Sequence, residues 1–248
     1  MSAITAATPK AILFDAYGTL FDVHAVVAAA EQLFPGHGEA LSRLWRHKQI
    51  EYTQLRSLSD TGGARYRPFW QITLDALRFS GRSLGLTLGA AAEKRLMDEY
   101  ACLSTYPDTV SALRHLRALP GAPRLAILSN GDVRMLDIAV KSAGMSALFD
   151  RVLSVETVRA YKPAAAAYRL GTEAFGAAAR DIVFVSSNGW DAAGAGWFGY
   201  TTFWLNRSGA PLEELDAAPA GTGTGMAELL AFVESLRGGP AARAVPEA

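Results

Sequence analysis

The chain reads as an α/β protein: an open, mostly parallel sheet covered by helices, with a helical unit inserted after the first strand. Three observations carry this. Short apolar runs recur along the chain with helical patterns between them. The runs are brief and flanked by turn or polar residues. The stretch from Val23 to about Ser104 holds helical patterns and no convincing strand.

Ala11–Phe14 is the first predicted strand, an all-apolar run that stops at Asp15 and a turn at Gly18. The insertion follows. Leu41, Leu44, Trp45, Tyr52 and Leu55 lie at helix spacing within Glu39–Leu58, and Phe69–Phe79 and Ala90–Cys102 read as further helices. Ser59–Pro68 is rich in turn residues and reads as a loop. After the insertion, Leu125–Leu128, Arg151–Val155, Ile182–Val185 and Thr201–Leu205 read as strands. Thr109–Leu119, Val133–Ala143, Ala164–Phe175 and a short segment from Asp191 read as helices between them. Gly209–Gly225 is poor in pattern, and 238–248 is a Gly/Pro/Ala tail expected to be disordered. The resulting division is a core of 1–22 and 105–237 with a cap of 23–104.

Composition narrows the function classes. The 248 residues carry 24 Lys and Arg against 24 Asp and Glu, with no basic run for nucleic acid. No apolar run approaches the ~20 residues of a membrane span. The N-terminus lacks the charged and apolar regions of a signal peptide, and Cys102 is the single cysteine, which excludes an intrachain disulfide. The expectation is a soluble, cytoplasmic protein without nucleic-acid or membrane partners.

Four polar clusters follow strand-like runs, where open parallel sheets bind ligands. Asp15 with Gly18 and Thr19 forms the first: Thr19 can hold a carboxylate oxygen, although a strand-end Asp can equally cap a turn. Ser129-Asn130-Gly131 offers a hydroxyl, an amide and free N–H groups at a helix start, either an anion site or an ordinary N-cap. Lys162-Pro163 places a lysine just before a helix whose first position is Pro163, and a lone Lys is more often a solvated charge. Ser186-Ser187-Asn188-Gly189-Trp190-Asp191 closes the set, with Asp191 as a helix cap or as a group that orients or deprotonates water.

Taken together, order and spacing resemble the four motifs of the haloacid dehalogenase (HAD) superfamily, whose Rossmann-like parallel-sheet core carries an inserted helical cap. Most members are phosphatases with a second Asp two residues after the nucleophile. Here that position is Tyr17, a much weaker acid than a carboxyl and poorly suited to that job near neutral pH. A leaving group that needs no proton, such as halide, suits this site. Phosphatases also hold Mg²⁺ with an acidic residue where this chain has Ser186-Ser187-Asn188, so no metal or other cofactor is expected.

The finer resemblance is to the type II L-2-haloacid dehalogenases, from about Lys10 to Arg207. It rests on Phe14–His24, Leu44–Thr53, Asp75–Phe79, Ala126–Gly131, Tyr161–Pro163 and Phe184–Asp191. It implies conversion of an (S)-2-haloalkanoate to an (R)-2-hydroxyacid through an ester on Asp15. Arg46 is then the halide acceptor, assisted by Asn130. Ser129 and the N–H groups near Ala16 and Tyr17 hold the substrate carboxylate. Lys162 places a positive charge beside two carboxylates and also reaches substrate. Thr19, Tyr168, Ser186 and Asn188 position Asp15 and Lys162, with Tyr168 counted among the substrate contacts. Asp191 activates the water. Tyr17, Ile50, Phe69 and Trp190 form a dry pocket. Ala16 and Gly189 are smaller than the residues of the family pattern, which implies a wider site. A homodimer through the cap helices is also implied. A phosphatase with unusual motifs and a catalytically silent HAD-like binding protein stand as alternatives. Gly194–Gly199 fits G-x-G-x-x-G in the wrong context for a dinucleotide, because it does not directly follow a strand.

Overall fold

The computed structural model describes residues 8–60 and 62–237. Six strands form one sheet in the order β3-β2-β1-β4-β5-β6. They are β1 (Ala11–Phe14), β2 (Arg124–Ser129), β3 (Arg151–Ser154), β4 (Ile182–Ser186), β5 (Thr201–Leu205) and β6 (Gly221–Gly223), and every neighbouring pair is parallel. All residues of β1 and β4 are buried, as the uninterrupted apolar runs require of strands covered on both faces. The chain winds outward from β1 to β3, then crosses back to lay β4 against β1. Ligands bind at such a reversal, beyond the carboxyl ends of the strands. Asp15 ends β1 there, and the Ser186–Asp191 segment ends β4.

Four helices lie between β1 and β2 before the core resumes: α1 (Val26–Leu33), α2 (Gly38–Leu58), α3 (Phe69–Ser83) and α4 (Ala90–Ala101). Their buried faces include Leu41, Trp45, Phe69, Ile72, Leu77, Leu96 and Tyr100. The chain enters and leaves this helical cap side by side: Asp22 N–H donates to Ser104 O at 2.8 Å, and Tyr106 N–H donates to Leu20 O at 3.2 Å. Core helices α5 (Thr109–Ala118), α6 (Val133–Ser142), α7 (Ala165–Phe175), α8 (Gly189–Phe198) and α9 (Met226–Arg237) cover the sheet. Asp132 caps α6 by accepting from Met135 N–H at 3.0 Å.

Several expectations need correction. The pattern-poor segment contains β6, an edge strand of Gly221, Thr222 and Gly223 too short for any periodicity to announce it. Helix α8 begins at Gly189, two residues before Asp191. Pro163 is not the first helical residue, because α7 starts at Ala165 after a cis Lys162-Pro163 bond. The G-x-G-x-x-G segment lies in α8 and the turn after it. A Cβ on Gly194 would sit 2.7 Å from both Pro163 Cβ and Tyr168 Oη, so glycine there lets α8 press against the lysine-bearing loop. The tail, 238–248, lies outside the described residues.

Candidate active site

The site begins with Asp15, whose N–H is anchored to Val185 O at 2.9 Å, tying the end of β1 to β4. Gly18 then takes φ +93°, which an L side chain rarely adopts, and returns the chain so that Thr19 faces back. Thr19 Oγ1 donates to Asp15 Oδ2 at 3.0 Å and accepts Ser187 N–H at 2.9 Å. Asn188 Nδ2 donates to the same Oδ2, also at 3.0 Å. The other oxygen, Oδ1, receives Lys162 Nζ at 2.8 Å.

Lys162 is buried, and its ammonium has three acceptors for three protons: Asp15 Oδ1, Asp191 Oδ2 at 2.6 Å and Leu128 O at 3.2 Å. Its backbone N–H donates to Asn130 Oδ1 at 2.9 Å, which leaves only Nδ2 of Asn130 to donate elsewhere. Burial pulls the Lys162 pKa down, but the Asp15 and Asp191 carboxylates outweigh it and hold the ammonium above the ordinary lysine value. Asp191 is fully buried, and it also accepts from Ser186 Oγ at 2.9 Å and Tyr168 Oη at 2.8 Å. Burial raises its carboxyl above the ordinary value, with Lys162 opposing and Asp15 adding to the rise.

The cap contributes the second cation. Arg46, on α2, donates from Nη2 to Tyr17 O at 3.0 Å and to Asn188 Oδ1 at 3.3 Å, and from Nη1 to Gln49 Oε1 at 2.8 Å. Two carboxylates and two cations therefore balance formally in the empty cluster. Asp15, Tyr17, Arg46, Ile50, Thr53, Phe69, Ser129, Asn130, Asn188 and Trp190 enclose a cavity of about 10 Å³. That is space for roughly one water. A larger ligand enters only if cap side chains, or the cap itself, move. A larger groove of about 480 Å³, at Tyr52, Leu55, Arg56, Ser59, Arg65 and Asp75, shares no residue with this site. Tyr17 packs between Phe69, at a ring separation of 5.5 Å, and Tyr100, stacked at 5.5 Å. Burial first, then Tyr100 and Asp132, raise the Tyr17 phenol well above its ordinary pKa, so it is a poorer acid than a free tyrosine.

A family model described as haloacid dehalogenase-like hydrolase matches residues 9–199. The chain belongs to the haloacid dehalogenase-like hydrolases. Within this HAD family it is similar to the (S)-2-haloacid dehalogenase of Pseudomonas sp. (strain YL), 44% identical over 229 residues, 92% of this chain and 96% of that protein. A crystal structure of an L-2-haloacid dehalogenase superposes with a TM-score of 0.90 at 60% identity, over 92% of this chain and all (100%) of that one. The Xanthobacter autotrophicus L-2-haloacid dehalogenase with chloropropionic acid covalently bound superposes with a TM-score of 0.81 at 34% identity, covering 91% and 98% of the two chains. The HAD-like sheet with its inserted helical cap is the fold the sequence predicts.

Many HAD enzymes hold Mg²⁺ at the nucleophile, and the donors around Asp15 do not fit a divalent cation. Lys162, Thr19 and Asn188 hydrogens point at the carboxylate, and an Arg46 hydrogen points at Tyr17 O, the carbonyl that phosphatases offer to the metal. Asp191, the remaining acid, is bound to Lys162, Ser186 and Tyr168. Among the described residues no group of three or more His, Cys, Asp or Glu side chains is arranged to hold a metal ion.

Four expectations about individual residues are corrected. Lys162, expected to reach substrate, is buried and does not line the cavity; it meets the Asp15 and Asp191 carboxylates instead. Tyr168 does not line the cavity; it is fully buried behind Asp191, as is Ser186, and both act on Lys162 only through that carboxylate. The Ala16 side chain is also fully buried and lines nothing, so at this position only the backbone can meet a ligand. The small Gly189 does not widen the site, because the Glu213 side chain lies 2.7 Å from where its Cβ would be. Phe69, beyond the loop 59–68, does line the cavity. Sequence reasoning assigned no role to Thr53, which lines the cavity, nor to Gln49 and Tyr100, which bond to each other beside Arg46. Gln49 stands at i+3 from Arg46, a spacing that puts two side chains on one helix face and was the one available signal.

Proposed function

We propose that this HAD hydrolase removes halide from (S)-2-haloacids and releases (R)-2-hydroxyacids through an ester on Asp15, without a metal. One observation carries the reading: a carboxylate held by Lys162, Thr19 and Asn188 faces a cap guanidinium, and the phosphatase proton donor is replaced by Tyr17.

Oδ2 of Asp15 takes two donors and Oδ1 only one, so Oδ1 keeps the freer lone pair for attack. It bonds to C2 from the side opposite the halogen, the carbon–halogen bond breaks, and configuration inverts. The electron pair leaves with the halide toward Arg46, which stabilises charge only as it forms. The backbone N–H groups of Ala16 and Tyr17 carry no hydrogen bond among the described residues, and with Ser129 they offer a seat for the substrate carboxylate. Asn130 Nδ2 supplements Arg46. Water then adds to the Asp15 carbonyl and gives one proton toward Asp191; the adduct collapses, the ester C–O bond to the substrate breaks, and the alkoxide takes the water's other proton and departs as the hydroxyacid. Asp191, with its raised pKa, is a stronger base than an ordinary carboxylate. Tyr17, Ile50, Phe69 and Trp190 exclude bulk water from the first step.

The cap spans 23–104 in this reading, and two copies pair through cap helices. Leu55 and Leu58 on α2 are 54% and 81% exposed, which favours a covered face in the assembly. Light scattering of the purified protein tests the dimer, and a monomer at working concentration refutes it. No helix among the described residues is long and apolar enough to cross a membrane, in keeping with a cytoplasmic enzyme. The deciding assay is halide release from both enantiomers of 2-chloropropionate in EDTA. Release from the (S) form alone is expected. Phosphate-ester hydrolysis that requires Mg²⁺, with no halide release, would establish the phosphatase alternative; inactivity toward both would establish the silent binding protein.

A further inference from the structure

A buried chain of hydrogen bonds crosses three cap helices and ends on Arg46. Thr73 Oγ1, on α3, donates to Phe69 O at 2.8 Å, so its only proton is used. It must therefore accept from Gln49 Nε2, at 2.6 Å. That contact sets the amide orientation and turns Gln49 Oε1 toward α2 and α4, where it accepts from Arg46 Nη1 at 2.8 Å and from Tyr100 Oη at 3.1 Å. Trp45 Nε1 donates to Thr73 O at 2.7 Å and ties α2 to α3 at the same level. Gln49 is 1% exposed and Thr73 fully buried, so water does not substitute for a lost partner without rearrangement.

Of the five guanidinium N–H groups of Arg46, one goes to Gln49, one to Tyr17 O and one to Asn188 Oδ1. The Nε hydrogen and one Nη1 hydrogen remain, and they diverge across the planar guanidinium, so a single halide meets only one of them. The Tyr17 and Asn188 contacts come from the core and change when the cap moves. The Gln49 contact travels with α2.

We propose that Gln49, oriented by Thr73, is a positioning residue that fixes the plane of the Arg46 guanidinium, so that a free N–H meets the departing halide, and so sets how far the enzyme favours one halogen over another. The proposal rests on the function proposed above. Chloride is a poorer leaving group than bromide and depends more on the guanidinium. A misaimed Arg46 therefore slows chloride loss more than bromide loss.

The test is single-turnover halide release, with enzyme in excess, from (S)-2-chloropropionate and (S)-2-bromopropionate. Gln49→Met keeps length and removes the acceptor. It is expected to raise the bromide-to-chloride rate ratio by at least about fivefold, with substrate binding changed less than about twofold. Thr73→Val frees the amide to turn over and is expected to shift the ratio the same way by a smaller factor. In an Arg46→Lys background, Gln49→Met is expected to leave the ratio unchanged. A loss of packing alone slows both substrates alike; a ratio within about twofold of wild type in the folded variants overturns the relay. If Gln49→Met does not fold, the Thr73→Val ratio decides, and if neither folds the residues are structural and the proposal falls. Absence of halide release by the wild type overturns the proposed function as well, whereas an active wild type with an unmoved ratio overturns the relay alone.

Discussion

Replacing Lys162 with Met leaves Asp15 and Asp191 buried without the cation that bridges them. Asp15 is 5% exposed and Asp191 0%, and their oxygens lie 2.8 and 2.6 Å from Nζ. Removing one partner from a buried ion pair costs about 3–5 kcal/mol, because the remaining charge is uncompensated. The loss should depend on pH. In the wild type the Lys162 pKa is raised above 10.5. Its stabilisation is thus fully present below the unfolded value and is lost only as pH rises through the still higher folded value. Between pH 5 and 8 this lysine contributes no slope. In the variant, Asp191, whose carboxyl burial already raises with the lysine present, loses the opposing charge and binds its proton more tightly in the folded than in the unfolded chain, so stability falls as pH rises. Each unit of raised carboxyl pKa costs about 1.4 kcal/mol once the group is ionised. Urea denaturation of both proteins at pH 5 and pH 8 measures this. The expected deficit at pH 8 is about 3–5 kcal/mol, with roughly 1–2 kcal/mol recovered at pH 5. A deficit below about 1 kcal/mol, or one equal at the two pH values, would mean that Lys162 does not offset the buried carboxylates.

Asp191→Asn should slow ester hydrolysis far more than ester formation, giving a burst of about one halide per site followed by slow turnover; simultaneous loss of burst and turnover would remove Asp191 from water activation. In the wild type the hydrolysis step should lose activity on acidification from above the ordinary carboxyl value of 3.8, because the Asp191 pKa is raised; rapid-quench rates against pH report this, and a limb at or below 3.8 would contradict it. Gly18→Ala should cost about 1–2 kcal/mol in urea denaturation through backbone strain at φ +93°, since the atoms nearest the new Cβ stand 3.8 Å away; an unchanged midpoint would mean the turn relaxes freely.

The parts of the molecule that follow local rules were legible in the sequence. Ala11–Phe14 and Ile182–Val185 announce themselves because strands buried on both faces need uninterrupted apolar runs. The polar clusters were legible because parallel strands all deliver their last residues to one edge. Strand β6 was not, as Gly-Thr-Gly carries neither alternation nor bulk and gains its place by lying against β5. Gln49 was hidden for another reason. Its orientation depends on a hydroxyl of α3 and a phenol of α4, which only the folded cap brings to α2. The Tyr168 assignment failed similarly, since the residue reaches the nucleophile through Asp191 and Lys162 rather than through the cavity. Gly189 promised space that a distant Glu213 occupies.

In the proposed reaction Asp15 itself becomes the carrier of the substrate. A single turnover in H₂¹⁸O, with enzyme in excess over (S)-2-chloropropionate, tests it most directly. Attack of water on the ester carbonyl predicts one ¹⁸O in the peptide containing Asp15 and none in the lactate released. Label in the lactate with an unlabelled Asp15 would mean that water attacks C2 directly and that no ester forms on Asp15.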